Sequence, residues 1–570
     1  MKLFKTIQTW FENQEHLFYL FLAILMAPNL ALCVTEPMTP LAKVCNILLP
    51  LGCYYVLMTL SRNCGKMLWF LFLFVFLGAF QIVLLYLFGQ SIIAVDMFLN
   101  LVTTNSSEAL ELLDNLLPAI GIVLLLYVPA LVMAAISVVR KRKLSTSFMH
   151  KQRRRAGATL AIGFLSLLGA ELQGADYEIT TELYPLNVCY NAKLAVERTA
   201  LTEHYHASSR DFSYHARATH PQRRREVYVM VIGETSRADN WQLFGYNRAT
   251  NPRLSEQSGL VTFPKTLSES NTTHKSVPML LSGVNACDFD SIYYRKGIIT
   301  AFKEAGFHTA FFSNQRRNHS FIDFFGMEAD TYDFIKEDSA DTHYNPSDEE
   351  LLNLVTKELD RGAEKEFIVL HAYGSHFNYH ERYPGDKACF TPDYPTEAEP
   401  KNRPQLVNAY DNTIRQTDDL LARLILLLET QEADAAVAYT SDHGEDIFDD
   451  ARLLFLHASP VPSYYQLHVP LLLWMSPGYR TNYPEHWQAA MANRDKDISS
   501  SHSFFHTVLD LAGIATPYAN NSLSVVSTRY AMRPRVYLTD HNKPAPLTRV
   551  GMKKEDFEML RKKGIGEWGE

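Results

Sequence analysis

Two apolar stretches of the chain lead directly into acidic and imidazole side chains. Residues 227–233 are followed by Glu234, and residues 435–441 are followed by Asp442 and His443. If both stretches are strands of one open parallel sheet, their carboxyl ends meet at the edge where such sheets bind ligands. Carboxylate and imidazole groups together form a ligand set for zinc or a similar divalent ion. The pattern therefore predicts a metal site at this edge.

A third apolar stretch brings two more imidazoles to the same edge if it joins that sheet. Residues 367–370 lead into His371, and His376 follows five residues later. For His371 alone, a core histidine held by hydrogen bonds is as good an interpretation as a functional residue.

A hydroxyl-rich segment offers a nucleophile for the predicted metal site. Residues 268–278 contain several Ser and Thr, including Thr273, and precede an apolar run at 279–281 that we expect to lie in a helix. A Thr hydroxyl becomes nucleophilic when a metal or base assists its ionisation, and a helix N-terminus favours an incoming phosphoryl anion. Taken alone, however, Ser and Thr before a helix are usually caps.

The first third of the chain has the composition of a membrane domain. Five apolar runs, most of them near the roughly 20 residues that cross a bilayer, predict five membrane helices, the first of them interrupted by Pro28. A buried core helix is the alternative for any single run. The runs are residues 16–34, 42–60, 67–88, 116–139 and 157–172.

Basic residues in the short loops predict the orientation, because Lys and Arg are retained on the cytoplasmic side. Residues 140–143 and 151–155 are rich in Lys and Arg, whereas residues 90–115 contain neither. Five crossings from a cytoplasmic N-terminus place the rest of the chain outside, in the periplasm of a bacterium with two membranes. The net charge of -8 gives no indication of a nucleic-acid partner.

These patterns divide the chain into three parts. Residues 1–172 are the predicted five-helix transmembrane domain, 173–225 a helical linker, and 226–570 an α/β domain with a mainly parallel sheet flanked by helices. Apolar periodicity also predicts a helix over residues 408–431. The predicted strands lie near 227–232, 308–313, 366–370, 435–440, 468–474 and 534–539.

Five short motifs, taken together and in order, resemble the phosphoethanolamine transferases of the alkaline phosphatase and sulfatase superfamily, in particular the lipid A type. The resemblance covers most of the chain and implies an alkaline-phosphatase-like α/β domain behind five membrane helices. The motifs are Gly233-Glu-Thr-Ser-Arg237, Thr273-x-x-Ser-Val-Pro278, His371-x-x-Gly-Ser-His376, Ser441-Asp-His-Gly-Glu445 and Phe455-Leu-His457.

The resemblance implies roles for particular residues. Thr273 would be the nucleophile and would hold one zinc ion together with Glu234, Asp442 and His443. A second zinc or the phosphoryl group would be bound by His376 and His457, with His371 close by. Asn105 and Glu108 would hold the donor lipid, and Asn314, with Gln315 beside it, would lie near the ethanolamine phosphate.

The implied reaction moves phosphoethanolamine from phosphatidylethanolamine to an envelope acceptor, through a phosphothreonine and at the bacterial inner membrane. Lipid A, another glycolipid or a glycan, including periplasmic glucan, would suit as acceptor. The alternatives are a phosphoglycerol transferase of the lipoteichoic acid synthase type and a non-catalytic membrane receptor. The Cys/Ser-x-Pro-x-Arg string of sulfatases is absent from the sequence, which argues against sulfatase activity.

Overall fold

A computed structural model describes residues 12–36, 38–88, 92–103, 106–172, 177–221, 224–337 and 345–566, with backbone only at 87–88, 100–103 and 106–116. The chain forms two compact units. One comprises Met1–Leu99 and Leu112–Glu197, and the other comprises Asn100–Glu111 and Arg198–Glu570. The predicted boundaries at 172 and 225 stay a prediction.

The first unit is helical. Its α-helices run in the order α1 Gln14–Leu25, α2 Ala27–Thr35, α3 Pro40–Met58, α4 Cys64–Phe70, α5 Phe72–Phe88, α6 Val95–Thr103, α7 Ser106–Val139, α8 Thr146–Leu172, α9 Ile179–Glu182 and α10 Leu186–Glu203, of which α6, α7 and α10 extend into the second unit.

Among the described residues, four helical segments are long and apolar enough to cross a membrane, namely Gln14–Thr35, Pro40–Met58, Leu117–Val139 and Thr146–Leu172. The run predicted at 67–88 is instead two helices, α4 and α5, which bend by 65° at Leu71. Counting this bent pair as one span gives five. The chain is therefore a multi-pass membrane protein by helix length and composition.

The second unit is built on a seven-stranded sheet in the order β3-β11-β8-β2-β7-β5-β6. Strands β8, β2, β7, β5 and β6 are parallel, and β11 runs antiparallel between β8 and β3. The sheet is mixed, and the strand predicted at 468–474 supplies its antiparallel member. The bounds are β2 Glu226–Gly233, β3 Leu260–Thr262, β5 His308–Ser313, β6 Thr331–Phe334, β7 Lys365–His371, β8 Asp434–Ser441 and β11 Leu471–Met475.

The central strand β2 is buried on both faces because helices cover both sides of the sheet. Met230 and Ile232 face one apolar cluster, which includes residues of α12, α13, α14 and α20. Val229 and Val231 face another, which includes residues of α15 and α16. The helices are α11 Tyr205–Ser208, α12 Thr273–Ser282, α13 Ile298–Glu304, α14 Phe321–Gly326, α15 Glu350–Leu359, α16 Arg403–Glu429, α17 Tyr464–Leu467, α18 Pro477–Asn482, α19 Pro484–Asn493, α20 Ser500–Leu511 and α21 Lys554–Lys563.

Short two-stranded sheets complete this unit. The strand predicted at 534–539 is β14, which pairs with β15 and lies outside the main sheet. The short strands are β1 Arg217–Ala218, β4 Thr266–Leu267, β9 Asp446–Ile447, β10 Phe455–Leu456, β12 Ile498–Ser499, β13 Ile514–Ala515, β14 Val536–Leu538 and β15 Pro544–Pro546.

Candidate metal centre and nucleophile

Strand register brings the first two acidic residues together. Gly233, the last residue of β2, lies opposite Ser441, the last residue of β8, so that Glu234 and Asp442 leave the sheet side by side. Thr235 then adopts a left-handed backbone conformation with φ of 59°. Its backbone N–H donates to Asp442 Oδ1 over 3.0 Å. The tight turn after β2 thus fixes both carboxylates at the carboxyl edge of the sheet.

Three buried side chains converge at this edge. Glu234, Asp442 and His443 each offer one ligand atom, and these atoms lie within 4.8 Å of one another. Asp442 Oδ2 is buried without a hydrogen-bond partner among the described residues. A buried carboxylate oxygen with no partner is costly unless a cation satisfies it. Ligand types, spacing and this oxygen therefore fit a divalent metal ion.

The backbone after Asp442 fixes the tautomer of His443. Its Nδ1 lies 2.9 Å from the Gly444 carbonyl oxygen, which can only accept, so Nδ1 carries the proton. In the neutral ring Nε2 therefore presents its lone pair to the cluster, 3.4 Å from Glu234 Oε1. A Cβ at Gly444 would lie 2.1 Å from the Tyr465 carbonyl oxygen, which explains the glycine at this position.

Thr273 is the first residue of α12 and reaches the same group. Its Oγ1 lies 3.0 Å from Glu234 Oε1 and 3.1 Å from His443 Nε2. The three ligand residues are buried, whereas Thr273 is half-buried. The amino end of α12 favours negative charge at this point. The threonine hydroxyl is thus the accessible group on a buried cluster, at a place suited to an anion.

Burial and like charge explain how these groups titrate. Burial, followed by the charge of Asp442, raises the pKa of Glu234. Burial also raises the pKa of Asp442. Burial alone would lower the pKa of His443, but the carboxylates of Asp442 and Glu234 raise it above the ordinary value. Two carboxylates thus share a buried site whose charge a divalent cation would balance.

Two further histidines lie beside this cluster. The ring centroid of His457 is 4.2 Å from that of His443 and 6.2 Å from that of His376. His376 Nδ1 lies 2.6 Å from the Phe377 carbonyl oxygen, and His457 Nδ1 lies 3.1 Å from Glu445 Oε1. With each Nδ1 engaged, each neutral ring keeps Nε2 as an acceptor. This is the usual arrangement of a metal-binding histidine.

Backbone contacts position the loop that carries His376. Gly374 has φ of +51°, and a Cβ there would lie 2.6 Å from the Glu234 carbonyl oxygen. Asp348 accepts hydrogen bonds from the backbone N–H groups of Tyr373 and Gly374. Asn314 Nδ2 donates to Asp348 Oδ1 over 2.8 Å. Asn314 therefore supports this loop, and its own Oδ1 is buried without a partner among the described residues.

Residues that no motif indicated also hold His376 in place. Tyr373 stacks on His376 with ring centroids 5.0 Å apart. Two cations lie close to the Tyr373 ring, with Lys336 Nζ 3.3 Å and the Arg382 guanidinium 4.1 Å from its centroid. Arg382 Nε donates to the His376 carbonyl oxygen over 2.8 Å. Glu445, which contacts His457, ends the motif Ser441-Asp-His-Gly-Glu445, but the sequence predicted no role for it.

The other residues expected at the site have different surroundings. His371 ends β7, where its Nδ1 lies 3.1 Å from Ser313 Oγ and burial lowers its pKa to about 4. Among the described residues, no hydrogen bond joins the His371 side chain to Glu234, Asp442 or His443. Asn105 lies outside the described residues, and Glu108 lies in α7 where only the backbone is described.

Gln315, predicted beside Asn314, is the residue of that pair that contacts the cluster. Its Nε2 donates to Glu234 Oε2 and to the Ala372 carbonyl oxygen, each over 3.1 Å. It therefore orients a predicted metal ligand. Supporting contacts of this kind are typically worth 10- to 100-fold in metal affinity.

We expect Gln315→Met to weaken Zn²⁺ binding by the full-length chain about tenfold, because Glu234 loses its orienting donor. Competition with a chelator measures the affinity. Gln416→Met is the matched control, since the Gln416 amide donates to Ser347 and Glu349 instead. Equal affinity in the wild-type chain and Gln315→Met would show that Glu234 needs no such support.

Comparison with known proteins agrees with this geometry. The sulfatase family model matches residues 226–514, just over half of the chain. The chain belongs to the sulfatase family.

Particular relatives are phosphoethanolamine transferases. The chain is 31% identical over 304 residues to phosphoethanolamine transferase EptA of Salmonella typhimurium, covering 52% of this chain and 54% of that protein. In sequence, the chain spans about half the length of the curated relatives it matches. These matches confirm the resemblance that the motifs indicated.

Two solved structures share the fold. The integral membrane lipooligosaccharide phosphoethanolamine transferase A of Neisseria meningitidis aligns with a TM-score of 0.70 and 23% identity over 89% of this chain and 97% of that one. The C-terminal periplasmic domain of EcEptC from Escherichia coli, in complex with Zn, aligns with a TM-score of 0.53 and 22% identity over 59% of this chain and 96% of that one. The predicted arrangement, in which helices that could cross a membrane precede an alkaline-phosphatase-like domain, is therefore confirmed.

Proposed function

We propose that this protein is a zinc-dependent transferase that moves phosphoethanolamine from phosphatidylethanolamine to lipid A or another envelope glycolipid or glycan. One observation carries the proposal. The Thr273 hydroxyl, at the start of α12, lies 3.0 Å from Glu234 Oε1 and 3.1 Å from His443 Nε2 of a buried ligand group. The relatives described as phosphoethanolamine transferases support the choice of headgroup.

Glu234, Asp442, His443 and Thr273 would hold the first zinc ion. Two carboxylates, a neutral imidazole nitrogen and a hydroxyl supply four ligands, the number that zinc prefers. Bound there, zinc would act as a Lewis acid that lowers the cost of ionising a hydroxyl and offsets phosphoryl charge. The complex of a related domain with Zn supports this metal.

The residues of the chain would then carry out two displacements at phosphorus. Thr273 Oγ1 forms a bond to phosphorus while the bond from phosphorus to the diacylglycerol oxygen breaks, and diacylglycerol leaves with the proton. An acceptor hydroxyl or phosphate oxygen next attacks phosphorus while the bond from phosphorus to Thr273 Oγ1 breaks, and the proton that the acceptor loses restores the threonine hydroxyl. The amino end of α12 stabilises the phosphoryl charge in both steps.

His376 and His457 would form a second, weaker metal site. In each ring Nδ1 is engaged, by a carbonyl or a carboxylate oxygen, which leaves Nε2 as an acceptor in the neutral form. An acceptor nitrogen binds a metal ion directly, whereas contact with a phosphoryl oxygen would require a proton on Nε2. Between the two roles predicted for these residues, the tautomers favour the metal.

We expect His376→Ala and His457→Ala each to retain the tightly bound zinc but to lower the transfer rate at least about 100-fold, because neither residue belongs to the first ligand group. Elemental analysis and rate measurements on the same preparations separate the two effects. His380→Ala is the control, since half-buried His380 contacts Asp393 rather than the metal group and its loss should leave both unchanged. Loss of the tightly bound zinc in either His376→Ala or His457→Ala would mean that the two proposed sites are a single site.

Transfer from defined donors tests the function itself. The full-length chain, given phosphatidylethanolamine, phosphatidylglycerol or phosphatidylcholine with lipid A, should modify lipid A with phosphoethanolamine alone. Transfer of glycerol phosphate would favour the phosphoglycerol transferase, and no transfer to any glycolipid or glycan would favour the receptor.

We place Asn105 and Glu108 at the donor's ammonium group, so Glu108→Gln should raise the donor concentration needed for half-maximal rate. An unchanged requirement would exclude that role.

The proposed setting is the bacterial inner membrane, with five crossings in residues 1–172, a linker over 173–225 and the catalytic domain in the periplasm. The bent pair of α4 and α5 would count as one crossing. Arg and Lys at 140–143 and 151–155 support a cytoplasmic loop between α7 and α8.

A reporter enzyme that is active only outside the cytoplasm should therefore be active when fused after Glu171 and inactive when fused after Lys143. The second fusion serves as the control for orientation. An inactive reporter after Glu171 would mean that the number of crossings before it is even. The bent pair would then be the first segment to reassign, as a re-entrant loop.

A further inference from the structure

A cavity of about 860 Å³, open to the surface, lies along the start of α8, outside the site described above. Its lining is strongly basic and contains no acidic residue among those described. The lining residues are Ser147, His150, Lys151, Arg154, Arg155 and Ala158.

Helical spacing places four of these residues on one face of α8. Ser147, Lys151, Arg154 and Ala158 follow one another at intervals of four, three and four residues, so they share one face of α8. The apolar run of the same helix begins at residue 157. The cavity therefore lies where a membrane-crossing helix passes from the headgroup region into the hydrocarbon layer.

The cations at the centre of this face are not neutralised by the protein. Lys151 and Arg154 are exposed, and neither makes a hydrogen bond or ion pair with any residue the structure describes. Two nearby cations differ in this respect, since Arg140 and Arg142 both pair with Glu12. Arg155 is held at the cavity edge by the Tyr19 hydroxyl over 2.6 Å. The side chains of Lys141 and Lys143 also lack a partner among the described residues, so what distinguishes Lys151 and Arg154 is their place side by side on the helix face that lines the cavity.

We propose that this cavity binds the phosphate of an anionic phospholipid headgroup at the cytoplasmic surface of the membrane. Lys and Arg side chains donate charge-assisted hydrogen bonds to phosphate oxygens, and basic pockets at this level of membrane helices recognise anionic headgroups. General retention of positive charge in cytoplasmic loops requires neither a cavity nor unpaired cations on one face. The site goes beyond the proposed transfer reaction, because it lies on a helix that contributes no residue to the metal centre.

Lipid binding by the full-length chain in phosphatidylcholine nanodiscs tests this site. Fluorescent phosphatidylglycerol should bind saturably, and the double variant Lys151→Gln, Arg154→Gln should raise its dissociation constant about tenfold. The control Lys141→Gln, Lys143→Gln removes the same charge outside the cavity and should leave the constant unchanged. A helical content and elution volume equal to those of the wild-type chain show that both variants are folded.

Two results would overturn the proposal. Equal weakening in both double variants would mean that the lipid responds to diffuse basic charge rather than to the cavity. Competition by inorganic phosphate as strong as that by phosphatidylglycerol would mean that a soluble anion, not a lipid, is the ligand. Neither result bears on the transfer reaction, which depends on Thr273 and its neighbours.

Discussion

Thr273→Ala is expected to lower the rate of phosphoethanolamine transfer by about 10³-fold or more, because alanine offers no oxygen to form the covalent intermediate. The removed hydroxyl is also the proposed fourth ligand of the first zinc. Thr273→Ser should retain measurable activity, since its hydroxyl reaches the same position with a less restricted rotamer. Rates measured in the presence of excess zinc separate loss of the nucleophile from loss of metal.

The neighbouring threonine provides a matched control for this substitution. Thr272 is buried, and its Oγ1 lies 3.1 Å from Ser270 Oγ rather than at the metal group. Thr272→Ala removes the same atoms one residue away and should keep most of the activity. Wild-type transfer by Thr273→Ala, or loss of transfer in Thr272→Ala alone, would assign the nucleophile to another residue.

Asp442→Asn is expected to weaken zinc binding at least about 100-fold, so that the purified full-length chain carries little metal. The change keeps the shape of the side chain and its acceptor at Oδ1. It removes the negative charge and replaces one oxygen by an amide group that cannot ligate zinc. Elemental analysis after dialysis against a mild chelator measures the retained metal.

Asp446→Asn is the control for a buried carboxylate in the same segment. Asp446 accepts hydrogen bonds from Ser463 and Gln466 and does not contact the metal group. Burial raises its pKa to about 8, so the substitution changes little charge at neutral pH. Full zinc occupancy in Asp442→Asn, or equal loss in Asp446→Asn, would contradict the proposed ligand set.

The metal ligands at strand ends were predictable because the apolar run that predicts each strand also locates the residues that follow it. Glu234, Asp442 and His443 each follow a buried strand within two residues, so an apolar run locates them along the chain and the sheet brings them together. The structure gathers them within 4.8 Å. Thr273 needed the additional information of a motif, since hydroxyl residues before a helix are usually caps.

The residues that support the site were not predictable from local pattern. Tyr373 and Arg382 contact His376 from nearby in the chain, and Lys336 contacts the Tyr373 ring from a distant segment. A basic or aromatic residue in a loop carries no signal of such a contact in either case. Gln315 was placed beside Asn314 only through the resemblance. Its contact with Glu234 depends on β5 lying next but one to β2, which is a property of sheet order.

Two features of the fold were also not predictable from the local sequence pattern. The bend of 65° at Leu71 leaves no mark on hydropathy, because the apolar run continues through it. The direction of β11 is likewise invisible in its composition, since a buried strand reads alike in parallel and antiparallel neighbours. Helix α16, by contrast, was predicted within five residues at either end because its apolar face repeats over many turns.

The central claim is that Thr273 carries the headgroup during transfer. Incubation of the full-length chain with phosphatidylethanolamine and no acceptor should release about one equivalent of diacylglycerol in a burst. A peptide mass spectrum should then show Thr273 heavier by one phosphoethanolamine group, and addition of acceptor should remove the label. Release of diacylglycerol only when acceptor is present, with Thr273 unmodified throughout, would contradict the covalent mechanism.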